Sequence, residues 1–134
     1  MKDDLVSVII TTFCGSKVIE RAILSVINQT YSNIEIIVVD DNGYGTKEQI
    51  ETQDILNKFK KVVYIVHRTN INGAAARNTG IRSSNGKYIC FLDDDDQYTI
   101  DRVESQKRIL CNTKADVGVS YCSFIEKTYK GKQK

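Results

Sequence analysis

The sequence predicts an α/β fold, a mostly parallel sheet with helices on both faces, on three observations. Short, near-continuous runs rich in β-branched residues at 5–10 and 34–39 read as strands buried on both faces, and a third strand-like run follows at 62–66. The segments between them carry apolar residues at helical spacing. Strand and helix signals then alternate to the end of the chain, which implies crossover connections and a parallel sheet.

The first strand, residues 5–10, is followed by a helix over 16–29 whose apolar face is Val18, Ile19, Ala22, Ile23, Val26 and Ile27. The second strand, 34–39, runs into Asp40-Asp41. Thr46 and Gln49 have capping-box spacing and open a helix carrying Ile50, Ile55, Leu56 and Phe59. After the third strand, 62–66, the pair Asn72-Gly73 leads into Ala74-Ala75-Ala76-Arg77, a good helix former that Asn85-Gly86 punctuates. The fourth strand, 87–92, ends in Asp93-Asp94-Asp95-Asp96. Asp101 and Glu104 again have cap spacing, before a helix with Val103, Ile109 and Leu110. A fifth strand is expected over about 117–125. Strand order stays open at this level.

Composition excludes several classes. The chain is 41% hydrophobic and 27% charged, ordinary for a globular domain. A net charge of +2 is too weak to argue for nucleic acid or an anionic membrane surface. No stretch approaches the roughly 18 apolar residues of a membrane span, and the N-terminus lacks a signal-peptide core. Cys14, Cys90, Cys111 and Cys122 form no CxxC pair and read as buried free thiols in a reducing cytosol. Residues 1–126 read as one unit, and Lys127, Lys130, Lys132 and Lys134 as a solvated basic tail.

Ligands of an open α/β sheet bind beyond the carboxyl ends of the strands. Thr11 to Cys14, Asp40-Asp41, residues 67–73 and Asp93 to Asp96 all fall at such ends. Four consecutive carboxylates repel one another, and a hard divalent cation, Mg²⁺ or Mn²⁺, is their natural counter-charge. In an extended segment Asp93 and Asp95 would point the same way; a solvated acidic turn is the bland alternative. Asp40-Asp41 serves either as turn residues or as acceptors for a base N–H or ribose hydroxyls. Asn72-Gly73 is either a plain cap or a presenter of backbone N–H groups to an anion. Arg77, one turn inside that helix, suits a phosphate or the aspartate cluster, unless simply exposed. The single histidine, His67, reads as structural. No GxGxxG or P-loop motif occurs.

Taken in order, Val6-Ser7-Val8-Ile9-Ile10-Thr11-Thr12-Phe13, Ser25-Val26-Ile27-Asn28-Gln29-Thr30-Tyr31, Asn33 to Asp41, Asn72-Gly73, Ala76-Arg77-Asn78-Thr79-Gly80-Ile81 and Gly86 to Asp96 resemble family 2 of the inverting glycosyltransferases. The match covers about residues 5–110. It implies the Rossmann-like GT-A nucleotide-diphospho-sugar transferase fold and a metal-dependent transfer from a nucleotide sugar, a UDP-sugar first, to a hydroxyl on a glycan or lipid-linked acceptor.

The resemblance also implies residue roles. Thr11 and Phe13 line the nucleotide pocket, Asp41 binds the base with Asp40 in support, and Arg77 lies near the diphosphate. Asp93 to Asp95 matches the DxD motif, with Asp93 and Asp95 on Mn²⁺ or Mg²⁺ and Asp93 or Asp94 in reach of the ribose. The family often has Pro at position 11 and Asn at position 14, here Thr11 and Cys14, and its Gly-Ser-x-Asp is here Asn42-Gly43-Tyr44-Gly45.

The family's general base lies in an acceptor-binding half for which this chain has no segment. The chain is therefore expected to be truncated and nearly inactive alone, or to work as a binding module with a partner chain supplying the acceptor half. A nucleotidyltransferase is disfavoured, because Thr11 to Cys14 lacks a glycine-rich phosphate loop. A cytoplasmic location, peripheral at the inner membrane face, is the family expectation.

Overall fold

The computed structural model describes residues 3–113 and 118–126. Within them lie β1 (Val6–Thr12), α1 (Ile19–Ile27), β2 (Ile34–Asp40), α2 (Lys47–Leu56), β3 (Val62–Val66), α3 (Gly73–Ser83), β4 (Tyr88–Asp93) and α4 (Arg102–Asn112). The strands form one sheet in the order β3-β2-β1-β4, and every pairing is parallel. The chain steps outward from β1 to β3, then returns past β1 to place β4 on its other side. Right-handed crossovers put the helices of the outward steps on one face and the helix of the return step on the other. Accordingly α1, α2 and α4 pack on Val6, Val8, Ile10, Ile36 and Val38, whereas α3 lays Ala76 on Ile37 and Val39.

The central pair β1 and β2 is buried on both faces, which is why its sequence is nearly continuous in apolar residues. Strand β4 alternates instead. Tyr88, Cys90 and Leu92 turn into the larger core, while Ile89 and Phe91 on the α3 face stay 38% and 43% exposed.

Close approach decides one glycine. A Cβ at Gly80 would lie 2.4 Å from Ile9 Cγ2, so α3 can reach β1 only with no side chain there. At the other end of the sheet Ser7 Oγ donates to Glu35 Oε1 (2.5 Å) and accepts from the Gly86 N–H (2.8 Å), tying the start of β4 to β1 and β2.

Several expectations need correction. The strands run one or two residues further than expected at β1, β2 and β4, so Thr11, Thr12, Asp40 and Asp93 sit in the ladder itself. The first helix is shorter, because residues 16–18 make a turn before Ile19. The core face of α2 is Gln49, Thr52 and Leu56, and Ile50 is 50% exposed. The Thr46 hydroxyl does cap α2, accepting from the Gln49 N–H at 3.2 Å, while the Gln49 side chain accepts from Gly45 N rather than from Thr46 N.

At α4 the expected capping box does not form. Asp101 makes no cap bond, and the Val103 N–H is taken by Gln29 Oε1 (3.0 Å), whose amide also donates to Ser25 O and Thr99 O. A buried side chain reaching across from the end of α1 thus satisfies the helix end that the local sequence leaves open.

No fifth strand occurs in residues 118–126. Val119, Tyr121, Phe124 and Ile125 are 79–90% exposed there. Among the described residues no ladder pairing joins the segment to the sheet, and Ser120 Oγ donates to Gln106 Oε1 at 2.5 Å. Residue 117 and the basic tail, 127–134, lie outside the described residues. All four cysteines are free, but Cys14, Cys111 and Cys122 are exposed rather than buried. Among the described residues no helix is long and apolar enough to cross a membrane.

Helix propensity alone predicts that Gly80→Ala stabilises α3 by about 1 kcal/mol. The contact with Ile9 predicts the opposite sign, a loss of about 1–3 kcal/mol, readable as a lower urea midpoint at unchanged slope.

Candidate functional site

The reversal of strand order at β1 opens a crevice at the carboxyl end of the sheet between β1 and β4. A cleft of about 240 Å³ lies there, lined by Thr11, Thr12, Phe13, Asp41, Gly73, Ala76, Arg77, Asp93, Asp94 and Asp95. Of the residues expected to bind the nucleotide sugar or the metal, only Asp40 lies off this lining.

The period of two along a strand separates neighbouring residues onto opposite faces. Register places Thr11 beside Asp93 and Thr12 beside Asp40. Thr11, Asp41 and Asp93 turn to the α3 face, where Arg77 Nη2 donates to Asp93 Oδ1 at 2.6 Å. Thr12, Asp40 and Asp94 turn to the α1 face. Thr12 Oγ1 donates to Asp94 Oδ2 at 2.6 Å, and Gly15 leaves room for that carboxylate, since a Cβ would lie 1.8 Å from Asp94 Oδ2. Phe13, at the cleft edge, is 58% exposed, an aromatic face open to a planar partner.

The two aspartates after β2 have different surroundings. Asp40 is fully buried. Its Oδ2 accepts from Tyr64 Oη (2.5 Å), its Oδ1 from the Asn42 N–H (2.8 Å), and Gln49 Nε2 in turn donates to Tyr64 Oη. Burial raises the Asp40 pKa above the usual carboxylate range, and these two bonds oppose it. Asp41 is 3% exposed. His67 Nδ1 (2.7 Å) and the Ile71 N–H (3.0 Å) meet its Oδ1, and Asn70 Nδ2 (2.9 Å) meets its Oδ2. A carboxylate has about four acceptor positions, so one, on Oδ2, is left.

The acidic run is a turn and not an extended segment: β4 ends at Asp93, and the Asp96 N–H donates to the Asp93 carbonyl at 3.1 Å. Alternation therefore does not align Asp93 with Asp95, although both reach the cleft. Burial, with the charges of Asp95 and Asp93, raises the pKa of Asp94 against the Thr12 and Phe13 bonds; Asp96 is raised in the same way. Among the described residues no three of His, Cys, Asp or Glu converge to hold a cation unaided. The exposed carboxylates of Asp93 and Asp95 fit the other common arrangement, one or two carboxylates with phosphate oxygens completing the sphere.

Asn72 caps α3, its Oδ1 accepting from the Ala75 N–H at 2.8 Å, and Gly73 opens the helix at the cleft. The loop departures are related to each other. Cys14 has φ of 56°, a left-handed conformation that favours Asn or Gly over Cys. Its N–H donates to Asn42 Oδ1 at 2.7 Å, so the amide in this loop pair comes from position 42. Tyr64 was not anticipated at the site, and Thr12, His67 and Asn70, which fall in the strand-end segments read from sequence, were given no role in it; period-two continuation of β3 is the one signal that puts His67 on the face of Asp41.

Tyr64→Phe removes one donor from the buried Asp40 carboxylate, with an expected loss of about 2 kcal/mol at neutral pH. Tyr64 lowers the Asp40 pKa, so its bond stabilises chiefly the ionised form. The deficit relative to wild type therefore narrows as pH falls from about 7 through the carboxyl range, which urea unfolding at two pH values checks.

The Glycosyl transferase family 2 model matches residues 7–134. An uncharacterized glycosyltransferase of Haemophilus influenzae is 39% identical over 107 residues, covering 79% of this chain and 42% of its own. Glycosyltransferase GlyA of Streptococcus pneumoniae is 34% identical over 92% of this chain and 18% of its own length. The Escherichia coli enzyme WfaP, named a UDP-Glc:alpha-D-GlcNAc-diphosphoundecaprenol beta-1,3-glucosyltransferase, is 34% identical over 94% of this chain and 49% of its own. The chain thus spans less than half the length of these relatives.

Among solved structures, Staphylococcus aureus TarS with UDP-GlcNAc superposes with a TM-score of 0.67 at 22% identity, covering 79% of this chain and 31% of the other. The mannosyltransferase PcManGT of Pyrobaculum calidifontis with GDP-Man and Mn²⁺ gives 0.70 at 20% identity, over 80% and 32%. Both are GT-A fold transferases. By its family match, its relatives and its fold, this chain belongs to glycosyltransferase family 2.

Proposed function

We propose that the cleft is the donor site of a glycosyltransferase that moves a sugar, with inversion, from a UDP-sugar to a hydroxyl acceptor. The observation that carries this reading is the convergence of Thr11, Phe13, Asp41, Arg77 and Asp93 on one rim at the β1–β4 switch point. In this reading Phe13 lies against the base, and Asp41 accepts from the base through its one remaining position. A single free acceptor suits the lone imide N–H of uracil better than the paired N–H donors of guanine. Asp40 supports Asp41 from beneath, and Thr11 and Gly73 border the pocket.

Arg77 would contact the diphosphate, exchanging or sharing its bond to Asp93. Asp93 and Asp95 would hold Mn²⁺ or Mg²⁺ together with diphosphate oxygens, and Asp94 stays against Thr12. The cation, when bound, offsets charge on the leaving diphosphate. Inversion requires a general base on the acceptor hydroxyl, and no residue of this cleft is assigned that role. The name of WfaP suggests the acceptor class, a sugar on a lipid-linked diphosphate. The cleft is smaller than the roughly 300–1,000 Å³ of ligand pockets, consistent with a donor only partly covered by these residues. Donor binding does not by itself imply transfer. A donor-binding module paired with a separate acceptor-binding chain shares the site, and co-purification of a second polypeptide would mark that arrangement.

Calorimetric titration with UDP tests the proposal. Mn²⁺ is expected to tighten UDP binding by about tenfold or more, some 1.4 kcal/mol, and Asp93→Ala/Asp95→Ala to remove that dependence. Binding of UDP that is indifferent to both the metal and the double substitution, or no binding by the folded chain, would contradict it.

A further inference from the structure

The donor-site reading leaves His67 without a task, although its geometry is specific. We infer that His67 is a positioning residue that sets nucleobase selectivity, by filling Oδ1 of Asp41 so that only one acceptor position faces the cleft. The inference rests on the donor-site reading above. His67 follows β3 on the α3 face, and its side chain is 10% exposed. Its Nδ1 lies 2.7 Å from Asp41 Oδ1, and its Nε2 lies 2.9 Å from Thr79 Oγ1 on α3. An ionised carboxylate only accepts, so Nδ1 carries a proton whichever way the Thr79 hydroxyl turns. With a neutral ring, Thr79 donates to Nε2 while accepting from Arg82 Nη2 at 3.4 Å. Donation then runs from α3 through His67 into Asp41.

The consequence is one of counting and direction. His67 and the Ile71 N–H occupy Oδ1, and Asn70 occupies one position of Oδ2. Removing the imidazole frees a position on Oδ1 and leaves Asn70 as the one remaining side chain of these three donors, so the carboxylate plane is free to turn. Asp41 could then present both oxygens to a base with two adjacent N–H groups. A site built around one donor and one acceptor position discriminates because a mismatched partner leaves buried polar groups unpaired. Loss of His67 therefore weakens UDP binding more than GDP binding. Asn at position 67 is expected to retain a donor near the place of Nδ1, whereas Ala retains none.

The test is the ratio of the GDP and UDP dissociation constants at saturating Mn²⁺, with the unfolding midpoint measured on the same samples. The wild-type ratio is expected to be about tenfold or more and to fall to about one to three in His67→Ala, with His67→Asn recovering most of it. Thr79→Val, which keeps shape and removes the hydroxyl, is expected to lower the ratio partially, and it serves if His67→Ala does not fold. A purely structural role would lower the unfolding midpoint and weaken both nucleotides equally. An unchanged ratio in His67→Ala, or in Thr79→Val where the former is unfolded, overturns the inference and leaves the donor site standing. A wild-type ratio near one also overturns it. Failure of the wild-type chain to bind either nucleotide overturns the donor-site reading and this inference together.

Discussion

The placement of every side chain at the rim depends on the reversal of strand order at β1. Parallel neighbours need crossover connections, and the fixed hand of those connections sends α3 to the face opposite α1, α2 and α4. One consequence is the crevice at the carboxyl ends of β1 and β4. Another is that α3 approaches the sheet closely enough to require Gly80, and so carries Arg77 to Asp93 and Thr79 to His67. A helix that packed further out would bring neither side chain to the rim.

Within that frame the pleat divides the labour of adjacent acids. Asp40 and Asp41 are neighbours in sequence, yet one is sealed against Tyr64 in the larger core and the other stands among His67, Asn70 and the cleft. Asp93 and Asp94 divide in the same way, towards Arg77 and towards Thr12. In each pair the inward acid has its pKa raised by burial and is held by hydroxyl and backbone donors. In the donor-site proposal the outward acid meets the ligand and the inward one fixes the loop that presents it.

The fold was largely legible because strand and helix periods alternate cleanly and the buried strands are nearly continuous in apolar residues. Strand order was not, since nothing in one sequence says that β4 returns to the far side of β1. The fifth strand expected over about 117–125 does not form in its described part, 118–125, because Val119, Tyr121, Phe124 and Ile125 have strand-like composition while pairing depends on an edge that composition does not report. The α4 cap was misread because Gln29, 74 residues from Val103 in sequence, provides it. The candidate site residues were legible as a set from strand ends and family resemblance. The supporting contacts of Tyr64, His67, Asn70 and Thr12 were not, because each joins residues distant in sequence.

Chemical-shift mapping of the ¹⁵N-labelled chain, titrated with UDP in the presence of Mg²⁺, reports which rim the nucleotide occupies. The largest amide shifts are expected in residues 11–14, 41–43, 71–77 and 93–96, the segments that meet at the switch point. Largest shifts along the β4–α4 groove around Lys87 and Gln106, or no shifts in a folded chain at saturating nucleotide, would contradict the donor-site reading.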